Sequence, residues 1–315
     1  MELKLTQRQL KCCQSRNFEL SKTIFAAMKT RLLFAFVAIA SILSIAASLD
    51  AYKIYNKEQK TVDFDELVAV TKDADVVLFG ELHNNTIAHW LQLELTKALQ
   101  KEKGSNLVLG AEMFEADGQL LLDEYLAGEI TEKNFEKESK LWPNYSTDYK
   151  PLVKFAKENG LYFVATNIPR RYASKVAYEG VETLNDLSKQ ARSYMCRLPF
   201  DVDSTLPGYN ALLHMSMGPH GSSENFMNAQ AIKDATMAHF ILENLGKDQT
   251  FLHYNGAYHS NNFEGISWFL KQKKSKLKIV TISSREVTDV SSYDNSADPD
   301  ADFMLYIDED VTKTY

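Results

Sequence analysis

Side chains able to do chemistry gather in a few short segments. They are Gly80-Glu81-Leu82-His83 with His89 beyond it, Glu112-Met113-Phe114-Glu115, Asn167-Ile168-Pro169-Arg170-Arg171 and Asn255-Gly256-Ala257-Tyr258-His259. Three kinds of chemistry suit these residue types. Glu81, His83, Glu112 and His259 could ligate a divalent metal, since imidazole and carboxylate ligands suit Zn²⁺ or Mn²⁺ and a catalytic site keeps one position open for water. The same groups could act without a metal, a carboxylate-oriented histidine serving as general base while Arg170 or Arg171 steadies a developing negative charge. They could also form a buried ion-pair network that only ties strand ends together. For any one residue the structural role is the commoner; four segments with matching chemistry favour a pocket. Glu115 can equally begin a helix, where a carboxylate is favourable anyway, and His89 can equally lie on a helix surface.

The elements that must position these groups follow from hydrophobic periodicity. Apolar runs predict strands at 75–81, 106–113, 161–168, 250–258 and 278–283, with an edge strand at 302–307. Continuous apolarity in Val76-Val77-Leu78-Phe79 means that both faces are covered, as in parallel sheets. Between the strands, Ile87, Leu91, Leu95, Ala98 and Leu99 share one face of a helix over 86–103 that Gly104 closes. Further helices are expected at 118–127, 149–158, 171–178, 182–195, 224–245 and 264–273. This is an α/β fold, with a mostly parallel central sheet flanked by helices. In such a sheet ligands sit beyond the carboxyl ends of the strands, where the four segments end.

The strand rhythm breaks between Ile168 and Thr250, which predicts an inserted helical subdomain over 175–228. That stretch is rich in Tyr, Met and His, and its prolines and glycines make part of it loop. In the helix over 224–245, Phe226, Ala229, Met237, Phe240 and Ile241 form an apolar stripe that also contains Gln230 and Lys233, with Asp234 at its margin. Buried polar groups need partners, so these brace neighbouring loops or line the pocket, bracing being the expectation for Lys233.

Of 315 residues, 45% are hydrophobic and 24% charged, which excludes disordered, collagen-like and coiled-coil classes. The net charge of −7 comes from 35 Lys/Arg and 42 Asp/Glu; residues 1–48 hold seven and two of these, so the remainder stands at 28 against 40, or −12. That balance argues against nucleic acid as a partner. Leu32 to Leu49 form 18 uncharged residues preceded by Lys29 and Arg31 and ending in small residues, the layout of a secretory signal peptide. Residues 28–48 are thus expected to be a cleaved signal, with Met28 as the start and 1–27 an upstream extension; an uncleaved anchor is the alternative. The expected location is the periplasm or cell envelope, without a lipid anchor because no cysteine ends the apolar run. Of three cysteines, Cys12 and Cys13 fall in the leader, leaving Cys196 without a disulfide partner.

Taken in order, Gly80-Glu81-x-His83 with His89, Glu112-Met113-Phe114-Glu115, Asn167-Ile168-Pro169-Arg170, Gln230-x-x-x-Asp234-x-x-Met237-Ala238 and Asn255-Gly256-x-x-His259 resemble the ChaN-like proteins. These are exported haem-binding uptake factors of a superfamily that also contains the Tiki metalloproteases and the erythromycin esterases. The resemblance spans about Val68 to Ile307 within a domain over 60–310. It implies an α/β fold with a helical insertion and a role in haem or iron acquisition, with haem against the insertion, shared across a homodimer and handed on by an envelope transfer partner. The superfamily's enzymes place Glu and His at a similar sheet edge, which implies the competing function, a metal-dependent hydrolase. ChaN-type proteins are often lipid-anchored, and this leader departs from that pattern. Covalent haem attachment is excluded by the lack of Cys-x-x-Cys-His, so haem needs an axial Tyr, His or Met. Tyr209, His214, Met215, Met217 and His220 are the candidates, although each could instead be an ordinary core or loop residue.

Overall fold

A computed structural model describes residues 49–215, 222–294 and 298–315. The leader, Met217 and His220 lie outside the described residues. In chain order the elements are β1 (Tyr52–Asn56), β2 (Thr61–Val62), α1 (Phe64–Thr71), β3 (Val76–Glu81), α2 (Thr86–Lys103), β4 (Leu107–Glu115), α3 (Gln119–Ala127), α4 (Glu132–Glu138), a π-helical turn (Tyr145–Tyr149), α5 (Lys150–Asn159), β5 (Phe163–Asn167), α6 (Arg170–Glu179), α7 (Lys189–Arg192), α8 (Pro207–Leu213), α9 (Ser223–Asn244), β6 (Thr250–Gly256), α10 (Ile266–Lys273), β7 (Ile279–Val287) and β8 (Phe303–Asp308).

The eight strands form one sheet in the order β2-β1-β8-β7-β3-β6-β4-β5. All neighbours from β8 to β5 are parallel, and only the β1–β2 and β1–β8 pairs are antiparallel. Successive strand residues point to opposite faces, and both faces here are apolar. Val77 and Phe79 therefore join Leu95, Leu109 and Tyr149 in a core under α2 to α5. Val76 and Leu78 join Val176, Ile232 and Met237 in a second core under the helices between β5 and β6 and α10. Two helical layers thus sandwich the sheet.

Two expectations change. The strand near 302–307 is no edge: β8 lies between β7 and β1, and the β1–β2 hairpin forms that side of the sheet. The single helix expected at 182–195 is a 3₁₀ helix over Val181–Asp186 followed by α7. Ser188 separates them: its backbone is extended, and its side chain accepts from Ala191 N to start a new helix.

Register brings the chemistry to one end. Glu81 on β3 stands opposite Gly256 on β6, and β4 bulges between Ala111 and Glu115 before Glu115 meets Asn167 on β5. The bulge lies at the stretch that holds Glu112. Asn85 caps α2, accepting from Ile87 N and Ala88 N at 3.1 Å, so that helix starts beside the end of β3.

Candidate functional site

Glu81 is buried at the carboxyl end of β3 with every oxygen engaged. Tyr149 Oη donates to Oε1 at 2.6 Å, where His83 Nδ1 also lies at 2.9 Å, and Gln92 Nε2 donates to Oε2 at 2.6 Å. Burial opposes charge on this carboxylate, but hydrogen bonding from His83 and the charges of His89 and His83 outweigh it and hold its pKa below the usual range. His89 is not a surface residue. It is buried on α2, with Nδ1 3.1 Å from Gln92 Oε1 and Nε2 3.1 Å from the His83 carbonyl, which also accepts from Asn144 Nδ2 at 2.8 Å.

A second constellation occupies the end of β6. His259 lies between two buried carboxylates, Nδ1 being 2.5 Å from Asp234 Oδ1 and Nε2 3.2 Å from Glu112 Oε1. Burial would lower its pKa; Glu112 and Asp234 reverse that and raise it to about 10. The same proximity, with His83 and a 2.8 Å bond from Gly256 N to Oε2, holds Glu112 below the carboxylate range despite its burial. Asp234 Oδ2 accepts from Tyr209 Oη at 2.6 Å.

Between these groups lies a cavity of about 710 Å³, walled by Glu81, His83, Glu112, Trp142, Ile168 and Tyr258 among others. Of the site residues expected from the sequence, Glu81, His83, Glu112, Glu115, Arg170 and His259 all line it. Glu115 is ion-paired to Lys140 at 3.0 Å. Arg171 is not among the lining residues and pairs with Asp117 at 2.6 Å instead. Gln230 and Lys233 line the cavity, with Lys233 Nζ donating to Gln230 on its own helix at 2.7 Å. Lys233 therefore faces the cavity rather than bracing a neighbouring loop.

Sequence reasoning missed Trp142, whose ring meets His83 edge-on at 4.9 Å, and Tyr149 and Gln92, which hold Glu81. The run Trp142-Pro143-Asn144 is a usable signal, because an aromatic and an amide in a short loop seldom serve packing alone. Gln92 follows His89 by one helical turn, a spacing that puts both on the same face.

The four residues expected to share a divalent metal do not make a centre. Among the described residues, no group of three His, Cys, Asp or Glu side chains is placed to hold an ion. The reason is pairing: both nitrogens of His259 face carboxylates, and Glu81 is saturated by Tyr149, Gln92 and His83.

Haem needs a ligand atom, a wide apolar slot and cations for its propionates. His83 meets the first requirement: its side chain is 36% exposed, Glu81 holds Nδ1, and Nε2 has no hydrogen-bond partner among the described residues. Trp142, Ile168 and Ala257 supply apolar walls, Arg170 and Lys233 supply cations, and Asn167 Oδ1 is buried without a partner among the described residues. These residues fit the group. Of the axial candidates expected in the insertion, the described ones fit less well, since Tyr209 is buried against Asp234 while His214 and Met215 are exposed outside the cavity walls.

Comparison with known proteins finds a solved structure that shares this fold and weaker likenesses to others. ChaN of Campylobacter jejuni, solved with cofacially bound haem, is 20% identical and superposes with a TM-score of 0.58 over 82% of this chain and 97% of that one. An erythromycin esterase in its open conformation is 13% identical, with a TM-score of 0.42 over 75% and 77% of the two chains. RETICULATA-RELATED 5, a chloroplastic protein of Arabidopsis thaliana, is 25% identical over 163 residues, 49% of this chain, and the match spans only 22% of that protein. The family model described as haem-binding uptake, Tiki superfamily, ChaN matches residues 67–270, and the chain belongs to that family.

Proposed function

We propose that this protein binds haem in the cavity at the strand ends and takes part in haem uptake at the cell envelope. The observation that carries the reading is His83, an accessible imidazole oriented by Glu81 at the wall of a 710 Å³ cavity, a size within the range of small-molecule and cofactor sites. Family membership and the haem of Campylobacter jejuni ChaN support it. His83 would ligate, Trp142 and Ile168 would pack the macrocycle, and Arg170 and Lys233 would meet the propionates. Bound haem would supply an iron centre to be carried. Export through residues 28–48, a homodimer closing over the haem and hand-over to an envelope partner complete the proposal. Hemin titration should give a saturable Soret shift that His83→Ala weakens at least about tenfold. A shift no larger than that of an unrelated control protein would sink it. N-terminal sequencing of protein recovered from the envelope checks cleavage, and sedimentation with and without hemin checks the dimer.

One observation favours a second function. A histidine held by a buried carboxylate and open to a cavity is also the arrangement of a general base. A metal-free hydrolase would use His83 to activate water while Arg170 met the developing oxyanion. Ester hydrolysis that survives His83→Ala within about tenfold removes this reading, since a general base contributes about 10²–10⁴.

A further inference from the structure

A second cavity, of about 560 Å³, shares no wall residue with the first. Helix α9 separates them. Gln230 and Lys233 face the first cavity, whereas Ala235, Ala238 and Leu242 face the second. At 100° per residue these sets fall on different sides of the helix. The small alanines leave space that Phe200, Trp268 and Phe269 frame; Trp268 meets Phe269 edge-on at 4.8 Å. Cys196 closes the inner wall, and burial pushes its thiol up to about 12, so this wall is apolar and unreactive.

The rim has a different character. Arg197, Lys273 and Lys274 line it, and none has an ion-pair partner among the described residues. Lys273 and Lys274 belong to the run Lys271-Gln272-Lys273-Lys274-Ser275-Lys276-Leu277-Lys278, a dense cationic stretch in a chain whose net charge is −7. Lys271 is occupied with the Leu277 carbonyl at 2.6 Å, which ties the turn down and leaves its neighbours exposed. Asp201 and Glu243 also stand on the rim, so the cations are not uniform around it. A chamber whose inner face is apolar, with His239 also on its wall and unpaired cations at its mouth, is complementary to a molecule with an apolar body and an anionic head.

We propose that this second cavity binds an amphiphilic anion, its acyl or aryl body against Ala238, Leu242 and Trp268 and its carboxylate or sulfate head on Arg197, Lys273 and Lys274. The inference does not rest on haem binding. Laurate is the probe, titrated into the full chain carrying Trp142→Phe so that the first cavity is silent and Trp268 reports over the constant emission of Trp90, which lines neither cavity. Saturable change in tryptophan emission below the micellar range is expected. Lys273→Glu with Lys274→Glu should weaken it about tenfold, as should replacing laurate by dodecanol, because both remove the charge complement. Ala238→Phe should weaken binding by intruding on the face that the acyl body would cover; the exposed lysine pair keeps the test decisive should that variant not fold. Hemin-loaded protein with Trp142 intact should bind radiolabelled laurate unchanged in equilibrium dialysis. Failure to saturate, equal affinity of the charge-reversed variant, or binding only to anionic phosphatidylglycerol vesicles and not to monomeric laurate would each overturn the proposal.

Discussion

At the scale of the residue, the site is decided by which groups spend their hydrogen bonds on each other. Tyr149 places a hydroxyl 2.6 Å from Glu81 in a fully buried setting, so Tyr149→Phe leaves a carboxylate oxygen short of a donor. The expected loss is about 1–3 kcal/mol of stability by denaturant titration. Burial lowers the pKa of His83, but its hydrogen bond with Glu81 and the negative charges of Glu112 and Glu81 outweigh that, so it stands above the usual histidine value. Iron ligation needs neutral imidazole, and a proton competes for the same nitrogen. Hemin affinity is therefore expected to fall as pH drops through this raised pKa, a trend that a titration series across pH 5–9 would reveal and that His83→Ala should lack. Most of these residues were legible as types: Glu81, His83, Glu112, Arg170 and His259 announce themselves by chemistry at strand ends. Their pairing was not: Asp234 stood out as a polar group in need of a partner, but that the partner is His259, and that Tyr149 holds Glu81, depends on segments distant in sequence.

At the scale of the element, the strands that are covered on both faces were readable because a continuous apolar run has no other stable setting in an α/β protein. The β1–β2 hairpin was not. It is short, only Ile54 and Tyr55 in β1 are buried, and its pairing with β8 joins segments near opposite ends of the domain. Helix α10 illustrates how an element fixes the site. Gly265 caps it with φ +52, and an added Cβ would stand 2.3 Å from the His259 carbonyl oxygen. Gly265→Ala must therefore move either α10 or the His259 backbone. A loss of about 2–4 kcal/mol is expected from the strained φ and the overlap together, visible as a lowered Tm. Gly256 offers a gentler probe: its Cβ would meet the His83 ring at 2.8 Å without backbone strain. Gly256→Ala should weaken hemin binding more than it lowers Tm.

At the scale of the whole molecule, the Asp234–His259–Glu112 chain ties α9, the 3₁₀ turn Ala257–His259 that follows β6, and β4 together and links their stability to pH. His259 has a folded pKa raised to about 10, so its contribution is complete below its ordinary value of about 6.5 and is lost as the pH climbs toward 10. Glu112 has a depressed pKa, so its contribution is complete above about 4.5 and is lost as acid protonates it. A Tm plateau between about pH 4.5 and 6.5 with a fall on either side is expected. His259→Gln should flatten the alkaline limb and cost about 3–5 kcal/mol, because two buried carboxylates lose their shared cation. A Tm that stays constant from pH 6.5 to 10 would contradict this account. The sequence by itself determined the α/β class, the sheet end where carboxylates and imidazoles meet, and the family resemblance, because periodicity and residue type are local properties. Only the tertiary structure decided that β8 is interior, that His259 is clasped by two carboxylates rather than free to hold a metal, and that His83 remains open. Those outcomes depend on distances across the sheet, and electrostatic partnership falls off within a few ångströms of separation that no spacing along the chain encodes.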